Sequence, residues 1–308
     1  MRPARAPRPG WLGAAGLLAL TAIQAAPLDA SAAPTNPLRP VIAPAELAQQ
    51  MRSAIQAASP GTRVGIDVID NTTDATLADL DSDQQFYTAS VVKLLIAVDE
   101  LRGRDWQSDS DTAADIHRML SASDDDIADR LWCENGGTAI VNRMVDLIGL
   151  TGTQPPTDPA EWGETRTTPK DVVAIYRYLT TVLPEPAREL IVNGLRDSSR
   201  IAADGTDQYF GIPDGFPDAP RAIKQGWMAL DTSTTMNTTG LVGTSPGQPL
   251  RYTVVVLTSQ PADVGWTAGG AALTRGLVVL RDNAIPPTRT EALRDTSGRE
   301  GVGAAPSW

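Results

Sequence analysis

The chain has 308 residues, a hydrophobic share of 42%, a charged share of 20% and a formal net charge of −11. That length holds one large domain or two lobes sharing a core. The acidic balance excludes nucleic acid as a partner, because no basic patch offsets phosphate repulsion.

In chain order, Arg2, Arg5 and Arg8 form a basic n-region ahead of an apolar run over 11–26, and Ala30-Ser31-Ala32 offers a small-residue cleavage site. The run is shorter than the ~20 apolar residues of a spanning helix. Residues 1–33 therefore read as an export signal whose removal leaves no stable membrane span, with a secreted or cell-envelope location. No lipobox-like cysteine follows it. Residues 34–43 are proline-rich and read as a linker. The stretch 44–57 fits an amphipathic helix, 64–68 alternates like a half-buried strand, and a turn at Asn71-Thr72-Thr73 leads into a second strand over 75–80.

From 90 to about 101 the pattern predicts a helix apolar almost all round, hence a buried one. Further helices are predicted over 112–121, 124–134 and 137–148. The single histidine, His117, points off the apolar stripe of Ile116, Met119 and Leu120 and reads as a surface residue. One histidine and no CxxC pair exclude the usual zinc sites. The single cysteine, Cys133, reads as a small buried hydrophobe. After a loop over 149–167, helices fit 169–182, with Pro169 in the first turn, and 186–196. Beyond a stretch punctuated by glycine and proline, strands are predicted at 221–228, 237–242 and 250–259, and a helix over 266–281. Residues 286–308 read as a disordered tail.

Two strands, a helical block, three strands and a closing helix make an α+β protein. Both ends of the 44–285 domain build one antiparallel sheet flanked by helices. An all-helical lobe, 88–215, is inserted between 44–87 and 216–285, with a cleft at the lobe junction.

Three of the 26 basic residues are lysines: Lys93, Lys170 and Lys224. Arginine stays protonated, whereas burial or a charged neighbour can render a lysine neutral and able to act as a base. Lys170 follows Pro169 at a helix start and reads as solvated. Lys93 lies in Ser90-Val91-Val92-Lys93, where helical spacing puts the hydroxyl and the amine on one face. A serine hydroxyl is a poor nucleophile without such a base. At the helix start the Ser90 N–H is also free to face an oxyanion. Ser-x-x-Lys alone is expected about once by chance in a chain of this length. Here Ser123-Asp124-Asp125 follows it, then Lys224-Gln225-Gly226 on a predicted strand.

That order of three motifs resembles the superfamily of class A β-lactamases and penicillin-binding proteins, over about 60–282. Supporting matches are Phe86-Tyr87-Thr88-Ala89-Ser90, Thr167-Thr168-Pro169 and Thr239-Gly240-Leu241-Val242. The resemblance implies a β-lactamase/transpeptidase-like fold and an exported serine hydrolase acting by acyl transfer. Ser90 would be the nucleophile, Lys93 its base, and Ser123 the donor of a proton to the leaving group. Lys224 would hold positive charge near that hydroxyl and near a substrate carboxylate. The N–H groups of Ser90 and Trp227 would form the oxyanion hole. Asp125, Gln225, Gly226 and the planar fork of Arg200 would contact substrate. Tyr209 and Phe210 either line the cleft or pack between the lobes. The implied substrates are small molecules or peptides, peptidoglycan-derived amides or esters, with β-lactams as slow acylators. Neither metal nor organic cofactor is implied.

Several positions depart from the family pattern. Asp125 stands where the family has asparagine and replaces an amide with an acceptor-only carboxylate. It is placed to pair with Lys93 and keep it protonated. Gln225 replaces a hydroxyl residue. Only 33 positions separate Ser90 from Ser123, which shortens one wall of the cleft. The loop before Thr167 offers only Glu161 and Glu164, both too near Pro169 for the water-activating glutamate of class A enzymes. Poor β-lactam hydrolysis is therefore expected. Two rivals follow: a catalytically weak relative that binds cell-wall fragments or a protein partner, and a true class A β-lactamase.

Overall fold

Residues 42–244 and 247–285 are described by the computed structural model. The expected signal segment, residues 34–41 of the linker and the 286–308 tail lie outside the described residues.

Strand β1 (Arg63–Asp70) is the seam where the two ends of the fold meet. It pairs antiparallel with β2 (Ala75–Leu80) on one side and along its whole length with β7 (Tyr252–Gln260) on the other. Strands β6 (Thr234–Val242) and β5 (Arg221–Ala229) complete an antiparallel sheet of order β2-β1-β7-β6-β5. This leaves β5 on an edge.

Side chains alternate across a strand, so β1 sends Val64, Ile66 and Val68 into one core and Ile69 into the other. The first core lies under α1 (Pro44–Ala58) and α8 (Trp266–Asn283). Helix α1 starts on Pro44, whose missing N–H costs nothing in a first turn, and buries the stripe Leu47, Ala48, Met51 and Ile55. The second core lies under the helical lobe and centres on α2 (Lys93–Gly103), buried at every position from Lys93 to Leu101. Around it stand α3 (Ser110–Ser121), α4 (Asp125–Glu134), α5 (Thr138–Ile148), α6 (Pro169–Thr181) and α7 (Glu185–Arg196). Each large apolar side chain fully withdrawn from water in these cores is worth about 1.5–3 kcal/mol before entropy is counted.

Four differences from the sequence reading have physical causes. The helix expected from Ser90 is split: Ala89–Val92 is a 3₁₀ turn, and α2 begins at Lys93. Ala89 takes φ +44° there, which forces a tight entry. Strand β6 begins at Thr234, not Asn237, because the hairpin closes by a Leu230 N–H to Ser233 O bond of 2.8 Å. Thr234 and Thr235, which precede the predicted strand, are β-branched strand formers. Two-residue strands β3 (Phe86–Tyr87) and β4 (Arg166–Thr167) pair with each other, and both are too short to show periodicity. Cys133 is exposed rather than buried, since the inward stripe of α4 is Ala128, Leu131 and Trp132.

Candidate active site

Three pieces of chain converge where β5 meets the N-terminal end of α2. The 3₁₀ turn carries Ser90, 5% exposed, and its first α-helical successor Lys93 is fully buried. The loop between α3 and α4 carries Ser123, held at φ +54°. Strand β5 carries Lys224, 1% exposed. Two non-glycine residues at positive φ, Ala89 and Ser123, thus flank the candidate groups, a backbone cost of order 1–3 kcal/mol each that surrounding bonds must hold in place.

Those bonds are present. Asn237 of β6 donates its amide to Tyr87 O (2.9 Å) and Thr88 O (3.1 Å) and accepts from Thr258 N–H (3.0 Å). It fastens the segment before Ser90 to the sheet. Thr88 N–H donates to Thr165 O at 2.8 Å. The chain over 199–208 braces the loop of Ser123, with Ser199 N–H and the Gln208 amide both donating to Ser121 O at 3.0 Å.

The Lys93 amine lies 3.1 Å from Ser90 Oγ, 2.8 Å from Ser123 O and 3.3 Å from Ser123 Oγ, and forms an ion pair with Asp125. The Lys224 amine lies 2.8 Å from Ser123 Oγ and 3.1 Å from Gln225 O. One hydroxyl therefore bridges two amines. Burial pushes Lys93 below the ordinary lysine range, against the pull of Asp125 and Asp124. Lys224 is pushed well below it, by burial first and then by the like charge of Lys93.

A close approach seats β5 on the Ser90 turn. A Cβ on Gly226 would stand 2.7 Å from Thr88 O and 3.3 Å from Ser90 N, so only glycine lets β5 close on the Ser90 turn. Hydrogen-bonded pairs alternate along an antiparallel ladder. The Leu230–Ser233 bond therefore fixes Lys224, Gly226 and Met228 as facing β6 with their amides. Gln225 and Trp227 direct theirs off the open edge. The Trp227 N–H thus leaves β5 on its free edge, and the space beside that edge and the Ser90 turn is the candidate opening.

The remaining sequence candidates are placed as follows. The Gln225 side chain points away from the opening: it is fully buried, donates to Phe210 O at 2.5 Å and accepts from Thr238 Oγ1 at 2.9 Å. Its position next to Lys224 on a strand dictates the opposite face. It therefore braces Phe210, and the expected contact with substrate is corrected. Arg200 is exposed and tied to Asp207 at 2.9 Å, with its guanidinium 5.4 Å from the Tyr209 ring centre. It is not brought to the lysines. Phe210 is buried edge-on against Trp227, with ring centres 6.4 Å apart. His117 sits at the surface, its Nε2 3.0 Å from Asp197.

Two residues at the opening were missed from sequence. Trp162, in a 3₁₀ turn over Trp162–Glu164, places its ring centre 4.9 Å from the Lys93 amine and donates its indole N–H to Asp129 at 2.6 Å. Neither Glu161 nor Glu164 hydrogen-bonds Ser90 or Lys93 among the described residues. Asp204 accepts the Trp227 indole N–H at 2.9 Å, and its charge is felt by both lysines. A tryptophan inside a proline-rich loop was the one available signal for Trp162; Asp204 gave none.

The fold is that of β-lactamase-like structures. A β-lactamase from Chitinophaga pinensis superposes with a TM-score of 0.61 at 18% identity, over 77% of this chain and 99% of that one. The structure of PBP-A does so with 0.61 at 19% identity, over 76% and 94%. At those identities the likeness is one of fold. No family model matches the chain. Within that fold, the chain is 36% identical over 242 residues to the "Putative lipoprotein LppW" of Mycobacterium tuberculosis, covering 74% of this chain and 75% of the relative. The chain belongs to that protein's family.

Proposed function

We propose that the protein is an envelope-located serine acyl-transfer enzyme in which Ser90 is acylated by cell-wall peptide-like amides or esters. The observation that carries this reading is the bridge at Ser123, whose hydroxyl lies 2.8 Å from one buried amine and 3.3 Å from the other, with Ser90 Oγ 3.1 Å from the second. Neutral Lys93 takes the Ser90 proton as Oγ attacks the carbonyl carbon. The tetrahedral oxyanion lies between the Ser90 and Trp227 N–H groups; losing one such donor typically costs ~10²–10³ in rate. Ser123 then gives its proton to the leaving group and recovers one from a lysine amine, and the carbonyl reforms as an ester on Ser90.

Deacylation is the slow half. The loop over 149–165 brings the indole of Trp162, not a carboxylate, beside Lys93. An indole donates but cannot take a proton from water. The acyl-enzyme therefore persists until another acceptor enters, and the protein is a poor β-lactamase. The envelope location rests on the basic and apolar leader and on the relative's description as a lipoprotein.

A second reading, a catalytically weak binder of cell-wall fragments, is favoured by the Asp125 ion pair, which pulls Lys93 toward its protonated form against the effect of burial. Intact-protein mass after incubation with benzylpenicillin decides between the two. An adduct on wild type that is absent from Ser90→Ala is expected. No adduct on wild type, with benzylpenicillin and its methyl ester both unconsumed, overturns acyl transfer in favour of the binder.

A further inference from the structure

On the sheet face covered by the helical lobe, away from Ser90, β1 carries a buried acid that the proposed chemistry does not use. Asp67 is 6% exposed, yet its carboxylate makes no hydrogen bond and no ion pair among the described residues. Directly opposite it across the β1–β2 pair stands Asp79, whose carboxylate likewise makes no hydrogen bond or ion pair among the described residues, although the charge of Lys170 reaches both acids. Like charges facing each other across a ladder oppose strand pairing, and a buried carboxylate without a partner carries a desolvation cost of several kcal/mol. Two unpartnered carboxylates at one register position are an unfinished interaction.

In front of them lies a depression of about 530 Å³, within the range of small-molecule sites. Its apolar wall is Ile69 of β1 with Val173 and Ala174 of α6. The cations on its rim are ion-paired with other acids, Lys170 with Asp83 at 3.1 Å and Arg177 with Asp74 at 2.6 Å, and act on Asp67 only at longer range. No group of three or more ligating side chains is placed to hold a metal ion among the described residues, so the two carboxylates suit an organic cation. The three donors of an ammonium match paired carboxylate oxygens, and an aliphatic stem matches the wall behind them.

We propose that the Asp67–Asp79 depression is a second binding site, specific for the end of an alkylammonium chain. The ammonium lies between the two carboxylates and the methylenes lie on Ile69, Val173 and Ala174. Asp67 is pushed up to about 7 by burial first, then by Asp79 and Asp83, against the pull of Lys170 and Arg177. An arriving cation favours the ionised carboxylate, so binding releases a proton near neutral pH.

The test is titration calorimetry of the whole protein with pentylamine and with 1-pentanol at pH 8 and pH 5.5. Millimolar-range binding of pentylamine at pH 8 is expected, weaker at pH 5.5, with none for 1-pentanol. Asp67→Asn and, separately, Asp79→Asn should each weaken pentylamine by about tenfold or more. The second variant changes an exposed residue and decides the matter if the first fails to fold. Equal binding of the alcohol, unchanged affinity in both variants, or no heat from pentylamine at tens of millimolar overturns the site.

Discussion

The Lys93 amine and the Asp125 carboxylate form an ion pair in which one partner is fully buried and the other is 53% exposed at its side chain. An amine proposed to act as a base is thus given a counter-charge that reaches to solvent. The carboxylate raises the Lys93 proton affinity while burial lowers it, and burial is the larger influence. Acylation should therefore rise with pH as Lys93 loses its proton. Asp125→Asn should move that rise to lower pH and speed acylation at pH 7 by about tenfold, the equivalent of one pKa unit. A pH–rate profile of adduct formation checks it, and an unmoved limb would remove Lys93 from the role of base.

Trp162→Ala should act in the opposite direction. The indole both excludes water from Lys93 and attracts its positive charge. The second effect is worth roughly 0.5–2 kcal/mol, whereas desolvation can move a buried group by several pKa units. Water admitted by the truncation raises the Lys93 pKa, and the same profile should shift toward alkaline pH.

Gly226→Ala should disturb both stability and chemistry. The added methyl would stand 2.7 Å from a backbone oxygen, which cannot rotate aside as a side chain can. A cost of about 1–3 kcal/mol is expected from overpacking, with β5 displaced from the Ser90 amide. Thermal melting and the acylation rate read the two effects separately; a rate within twofold of wild type would contradict the placement of the oxyanion hole.

Asp204 sets a preference among acylating agents. Its exposed carboxylate on the Trp227 indole is opposed to an incoming carboxylate. Asp204→Asn should speed acylation by benzylpenicillin several-fold, in keeping with a charge pair near a wet surface, and leave its methyl ester unchanged. Parallel mass time courses compare them; equal acceleration of both would assign Asp204 a packing role instead.

Asp67 also predicts the pH dependence of stability. Its folded pKa of about 7 lies above its ordinary value of 3.8. Between those values the folded state binds the extra proton, so stability contributed by this group falls as pH rises from about 4 to 7 and is flat beyond. Asp67→Asn should raise Tm at pH 8, by an amount on the order of a few kcal/mol in stability, and leave it unchanged at pH 4. Chemical denaturation at the two pH values checks the sign.

The sequence carried the parts whose physics is local or type-specific. Helix α2 was legible because it is apolar on every side, β2 because a turn precedes it, and β1 because it alternates, although it proves buried on both faces and not on one. Ser90, Lys93, Ser123 and Lys224 stood out because lysine is scarce in this chain and the three motifs are ordered. The pairing of Asp125 with Lys93 followed from an acid beside an amine. What stayed hidden depends on distant segments. Trp162 and Asp204 reach the opening only after a loop and a hairpin have folded onto it, and Asn237 braces Tyr87 across 150 positions of chain. Gln225 is different: strand alternation already placed it opposite Lys224, and motif position outweighed that signal.

The seam at β1 also governs when the molecule can become itself. Arg251 and Asp70 join across 181 positions, and β1 has no partner on that side until β7 exists. Such distant pairings make folding slow. A chain emerging from the ribosome carries all the helices of the lobe while β1 waits with one edge bare and the lobe still lacks Ala222, Leu241, Val255 and Leu257 of its core. Lys224, on the strand that closes over Ser90, also arrives late. A truncation before Tyr252 would keep Ser90, Lys93, Ser123 and Lys224 and still lack the strand that ties their two halves together. Nascent and clipped forms of this protein should therefore be adhesive, with the bare edge of β1 as the sticking point.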